Sequence, residues 1–160
     1  MVQRNSVDYR HVHYQAATGS MIGILIITHG TLGESLIHCA SHMLNKRPAR
    51  LRQLGVTAQD DPLLMLPQAR AMVKDLDNGH GVLVLTDMYG GSPSNIAAKL
   101  VIPGKVEAVA GINLPMLVRA LTYRDKPLAT IVTKAVSGGC DGVIRVPPVL
   151  AAVQNAATGS

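Results

Sequence analysis

The feature that most constrains this chain is a pair of short, nearly unbroken aliphatic runs, Met21 to Thr28 (MIGILIIT) and Gly81 to Thr86 (GVLVLT). Neither alternates apolar with polar residues, as a strand with one wet face would, and neither is long enough for a buried helix. Such blocks are expected of parallel strands covered on both faces. Parallel strands need crossover connections, so helical patterns should lie between them. They do: Glu34 to Lys46 carries Leu36, Ile37, Ala40, Met43 and Leu44 at helical spacing, with Pro48 as its stop.

The pattern continues along the chain. Leu51 to Val56 reads as a weaker strand, and Gln59-Asp60-Asp61-Pro62 opens a helix that runs to about Leu76 and stops at Asn78-Gly79. Ser92-Pro93 is expected to cap a helix reaching Val101, and Val106 to Ile112 reads as a fourth strand. Asn113 caps a helix ending near Tyr123 and Pro127 to Val136 forms another. Ser137-Gly138-Gly139 breaks the chain, and Val143 to Val146 reads as a last short strand. The order β-α-β-α-β-α-β-α-α-β predicts an open, doubly wound, mainly parallel α/β sheet with helices on both faces and a short C-terminal strand.

The folded part is expected over 21–150. Residues 1–20 are polar and end in Gly19-Ser20, as either an added extension or a native flexible leader would; 151–160 read as a loose tail. Hydrophobic residues make up 48% of the 160 and charged residues 16%, enough to fill one core. With no Trp, no Phe and four Tyr, little aromatic surface is left to stack on bases, which argues against a single-stranded nucleic-acid binder, and no nucleic-acid partner is expected. The net charge of +5 is densest at Lys46, Arg47, Arg50 and Arg52, read as a solvated loop, with an acidic partner left open. Cys39 and Cys140 match no metal or redox spacing and suit reduced thiols of a cytoplasmic protein. No apolar run reaches the ~18–20 residues of a membrane span, so no direct membrane insertion is expected.

In open α/β sheets, ligands collect at the carboxyl ends of the strands. That points to the residues just after the two strongest strands, His29 and Asp87. Imidazole alternates between neutral nucleophile and cation near neutral pH, and Gly30 leaves the ring accessible; a purely structural, capping histidine would sit there equally well. If the two strands are neighbours, the Asp87 carboxylate can fix one ring nitrogen and free the other. Asp87 as a turn cap is compatible with that role. Gly90-Gly91-Ser92-Pro93 then offers close backbone approach, a hydroxyl and a helix N-terminus to an anion, although alone it also makes an ordinary turn. His38 and His42 share a helix face without a third ligand, so surface or packing roles are expected and no metal site. No nucleotide-binding glycine loop or hydrolase elbow is present, and no cofactor is expected.

Ile26-Ile27-Thr28-His29-Gly30, Leu85 through Asn95 (LTDMYGGSPSN) and Ala110 through Leu117 (AGINLPML) together closely resemble the mannose-type IIA component of the bacterial sugar phosphotransferase system. The resemblance covers about 21–146. It implies a phosphocarrier in which His29 takes a phosphoryl group from phospho-HPr and passes it to a IIB component for sugar uptake. Asp87 would hold the ring, and Gly90, Gly91 and Ser92 would bind the phosphoryl oxygens. It also implies a flavodoxin-like strand order 2-1-3-4 and a cytoplasmic homodimer in which the C-terminal strand can pair with the partner's sheet. Met88 stands where some members place a hydroxyl residue, so that contact does not carry over. The alternative is a regulatory protein whose His29 phosphorylation controls binding to a kinase or regulator without transport.

Overall fold

The structure, a computed structural model, describes residues 21–150. The leader expected over 1–20 and the tail over 151–160 lie outside the described residues. Four strands, β1 (Gly23–His29), β2 (Leu51–Val56), β3 (Val82–Thr86) and β4 (Val106–Ala110), form one all-parallel sheet in the order β2-β1-β3-β4. Five helices connect and follow them: α1 (Leu32–Met43), α2 (Pro62–Leu76), α3 (Ser92–Leu100), α4 (Leu114–Thr122) and α5 (Leu128–Asp141). The doubly wound α/β architecture with strand order 2-1-3-4 is therefore the one expected.

Period-two alternation explains why the two apolar blocks have no polar face. On β1 and β3, Ile24, Ile26, Leu83 and Leu85 enter one core with Ile37 of α1, Leu117 and Leu121 of α4 and Ile131 of α5. Leu25, Ile27, Val82 and Val84 enter a second core with Met65 and Met72 of α2 and Ile96 and Leu100 of α3. Each fully buried aliphatic side chain contributes about 1.5–3 kcal/mol of transfer free energy, so the central strands are fixed in depth and register. Parallel pairing sets His29 opposite Val56 and Ile27 opposite Thr86. That register brings the first residues beyond β1 and β3 to the same rim.

Local signals placed some helix ends and misplaced others. Asp61 caps α2 through its carboxylate on the Leu63 N–H, and Asn113 caps α4 through the Met116 N–H, as expected. The cap of α3 is Gly91, with Ser92 as its first helical residue, so Ser92 makes no side-chain cap. α1 ends before Pro48: Leu44 closes it and Asn45 turns the chain in the left-handed region at φ 53°.

Two expectations fail. No break occurs at Ser137-Gly138-Gly139; α5 runs through it to Asp141. The glycines are there for packing, since a Cβ on Gly138 would lie 2.9 Å from Cβ and Cδ of Arg119, and one on Gly139 2.7 Å from Cε of Met116. Close approach of α4 outweighs the ~1 kcal/mol helix cost of each glycine. Nor do Val143 to Val146 form a strand. Residues 143–150 take no regular structure and leave Val143, Ile144 and Val146 exposed, because the chain leaves α5 without reaching a free strand edge.

One element had no sequence signal. Arg124, between α4 and α5, is buried, and its guanidinium donates to the carbonyls of Ile22, Arg50 and Ala49. It clasps the starts of β1 and β2 at the end of the sheet away from His29.

Candidate functional site

His29 is the last residue of β1, where the strand emerges from the core, and its side chain is 55% exposed. The turn after it is held by Gly30, at φ 54°, whose N–H donates to the Val56 carbonyl at 2.8 Å. Asp87 directly follows β3, and the Gly111 N–H secures its backbone through the carbonyls of Thr86 and Asp87. The sheet thus brings together two side chains 58 residues apart.

One carboxylate oxygen organises the pair. Asp87 Oδ2 accepts the backbone N–H of His29 at 2.9 Å and faces His29 Nδ1 at 2.8 Å, while Oδ1 accepts the Met88 N–H at 2.8 Å. Partial burial pushes the Asp87 carboxyl up, but the bonds from the His29 backbone, the His29 ring and the Met88 backbone outweigh it. The group is held below its ordinary value. An ionised carboxylate can only accept, so Nδ1 must carry the ring proton and Nε2 keeps its lone pair in the neutral imidazole.

Nε2 lies beside the start of α3. A Cβ built on Gly91 would stand 3.0 Å from Cε1 and 3.5 Å from Nε2 of His29, so the absence of a side chain there leaves room for this end of the ring. Gly90, at φ 87°, makes the preceding turn. The Gly91 N–H already donates to the Met88 carbonyl at 3.2 Å. Pro93 has no N–H, whereas the amides of Ser92 and Ser94 find no acceptor among the described residues. Unpaired amides and the dipole of α3 favour an anion at this spot by about 0.3–1 kcal/mol before specific bonds.

His29, Asp87, Gly90, Gly91 and Ser92 therefore meet at one rim, with Met88 and Tyr89 exposed beside them. Sequence reasoning missed how Gly91 leaves room for the ring; the doubled glycine was a signal only of close approach in general. It also missed Thr28, a buried hydroxyl that accepts the Gly33 N–H at 2.8 Å below the turn. His38 and His42 are exposed on α1. Among the described residues no cluster of three or more His, Cys, Asp or Glu could hold a metal ion, and no helix is long and apolar enough to cross a membrane. Cys39 and Cys140 are free and exposed.

Residues 23–136 match the family model described as the PTS system fructose IIA component. The chain is 34% identical over 125 residues to the PTS system mannose-specific EIIAB component of Escherichia coli (strain K12), covering 76% of this chain and 38% of that protein. It thus spans well under half the length of that relative. Among solved structures, the mannose/sorbose specific IIA subunit from Enterococcus faecalis has a similar fold, with a TM-score of 0.70 at 24% identity over 81% of this chain and 99% of that one. The PTS IIA protein associated with the fucose utilization operon from Streptococcus pneumoniae matches with a TM-score of 0.64 at 29% identity, over 75% and 93% of the two chains.

Proposed function

This chain belongs to the fructose/mannose-type IIA family of the sugar phosphotransferase system, and we propose that it carries a phosphoryl group on Nε2 of His29. The donor is phospho-HPr and the acceptor a IIB component serving sugar uptake. The single observation that carries the reading is the grip of Asp87 Oδ2 on both the backbone N–H and Nδ1 of His29, which leaves Nε2 as the free nucleophile next to the α3 N-terminus.

In the first step the Nε2 lone pair attacks phosphorus in line. The donor N–P bond breaks, its electron pair returns to the donor imidazole, and a new N–P bond forms on His29. With Nδ1–H retained, the ring gains imidazolium character, which the adjacent carboxylate stabilises. In this reading the amides of Ser92 and Ser94 and the Ser92 hydroxyl bind phosphoryl oxygens, and Gly90 and Gly91 let the backbone approach. Transfer to IIB repeats the displacement with the acceptor as nucleophile. Catalysis is positioning and charge stabilisation, and neither a metal nor a cofactor takes part in the proposed steps.

Incubation with phospho-HPr labels the wild type and leaves His29→Ala unlabelled; equal labelling of both rejects the assignment. We place the protein in the cytoplasm as a homodimer. Support for the dimer comes from β4, which among the described residues pairs with one strand only and beyond its Ile102–Val106 bridge has an open outer edge, and from the exposed apolar side chains of Val143, Ile144 and Val146. Sedimentation equilibrium at micromolar concentration is expected to give twice the chain mass, and a chain cut after residue 142 the single mass.

A further inference from the structure

The turn that follows His29 rests on a corner built almost without side chains. Gly55 of β2 faces the Gly30 carbonyl so closely that a Cβ there would stand 2.3 Å from the Gly30 oxygen. Gly33, at the start of α1, comes down on the sheet, where a Cβ would meet Thr28 Oγ1 and Ile26 Cγ2 at 3.1 Å. The Thr28 hydroxyl accepts the Gly33 N–H, and the Val56 carbonyl accepts the Gly30 N–H. Resting on the reading of His29 as phosphoryl acceptor, we propose that Gly55 and Thr28 are positioning residues for that histidine. They press the Gly30 peptide and the α1 start flat against β2, so that the His29 N–H and Nδ1 both converge on the one oxygen of Asp87.

The geometry makes the coupling direct. To bring a Cβ at position 55 back to 3.0 Å, the Gly30 carbonyl must move by at least about 0.7 Å. The Gly30 Cα and N–H move with it, and that N–H, bonded to the Val56 carbonyl, lies in the rigid peptide unit shared with His29. Both bonds to Asp87 Oδ2 depend on the orientation of that residue, and an ångström of misplacement costs up to ~100-fold in rate. Thr28 acts at the other end of the turn: without its hydroxyl the Gly33 N–H is left buried and unpaired, and the start of α1 lifts.

The test compares Gly55→Ala, Thr28→Val, Thr28→Ser and a control, Gly79→Ala. Gly79 has φ 96°, lies in the α2–β3 connection and has nothing within 4 Å of its Cβ position, so its replacement strains the chain far from His29. Two readouts are taken on folded protein: initial phosphoryl uptake from phospho-HPr, and the ¹⁵N–¹H signals of the His29 ring, which report where the proton sits. Gly55→Ala is expected to slow uptake about 10- to 100-fold and to mix the two ring tautomers. Thr28→Val moves both readouts the same way, Thr28→Ser restores them to within about twofold, and Gly79→Ala leaves them unchanged. A folded Gly55→Ala with wild-type ring signals and uptake overturns the proposal, as does equal slowing in Gly79→Ala. If Gly55→Ala does not fold, the Thr28 pair decides: equal behaviour of Val and Ser overturns it. Labelling of His29→Ala would instead sink the phosphocarrier reading, and the ring signals would still test the corner.

Discussion

Replacing Asp87 by Asn preserves shape and removes charge, and the hydrogen bonds around the carboxylate dictate the outcome. Oδ2 receives two donors, both from His29, and Oδ1 receives one, from Met88. An amide can accept on one side only. The arrangement that loses least keeps its oxygen toward His29 and turns its NH₂ toward the Met88 N–H, a donor–donor conflict costing about 1–3 kcal/mol of stability. In that arrangement Nδ1 still carries the proton and Nε2 stays nucleophilic. The loss is the negative charge that steadies the ring as the N–P bond forms. A charge-assisted bond exceeds a neutral one by about 1–2 kcal/mol, which at 1.36 kcal/mol per decade slows phosphoryl uptake roughly 5- to 30-fold. Asp87→Ala removes the acceptor altogether and is expected to slow uptake a further tenfold or more, because the ring and its backbone are then unheld. Rapid-quench measurement of ³²P transfer from phospho-HPr gives both rates, and ¹⁵N spectra give the tautomer. Asp87→Asn with wild-type kinetics, or with Nε2 protonated in the resting state, would refute this reasoning.

The pH dependence of stability comes from the same carboxyl. Its folded value lies below its ordinary one, so the unfolded chain binds the proton more readily. Its contribution is complete above the usual carboxylate value near 4 and is lost as pH falls through the lower folded value. Urea midpoints between pH 5 and pH 2 should therefore drop more steeply in the wild type than in Asp87→Asn, and parallel curves would contradict the bonding described. Gly91→Ala places a methyl 3.0 Å from His29 Cε1 and nearer the ring than real Cβ atoms usually come. It is expected to slow uptake at least about tenfold while circular dichroism and the thermal midpoint change little; an unchanged rate would show that the ring has room to spare.

Much of the fold was readable because the central strands are buried on both faces and say so in every residue from Ile24 to Ile27. His29 and Asp87 were readable because they end those strands. The features that escaped the sequence were set by neighbours distant in the chain. Gly138 and Gly139 look like a break, yet serve the contact with Arg119 and Met116, and tertiary packing overrides the local signal. Ser92-Pro93 has the composition of a cap, but the cap itself is Gly91, which also has to leave room for an imidazole. Val143 to Val146 have strand-forming side chains but join no strand among the described residues. Gly55 carried no signal at all, since its role exists only once β2 lies alongside the turn after β1.

The clasp made by Arg124 bears on how the molecule comes together as it is synthesised. The central strand is among the first parts of the sheet to emerge, yet the group that seals its starting end arrives 102 residues later. Until then one face of β1 and β3 lacks the covering supplied by α5, and the four parallel strands cannot close by local pairing. Completion of this domain is a late, long-range event, and a nascent chain halted before residue 124 would present to chaperones an aliphatic surface that the finished protein hides.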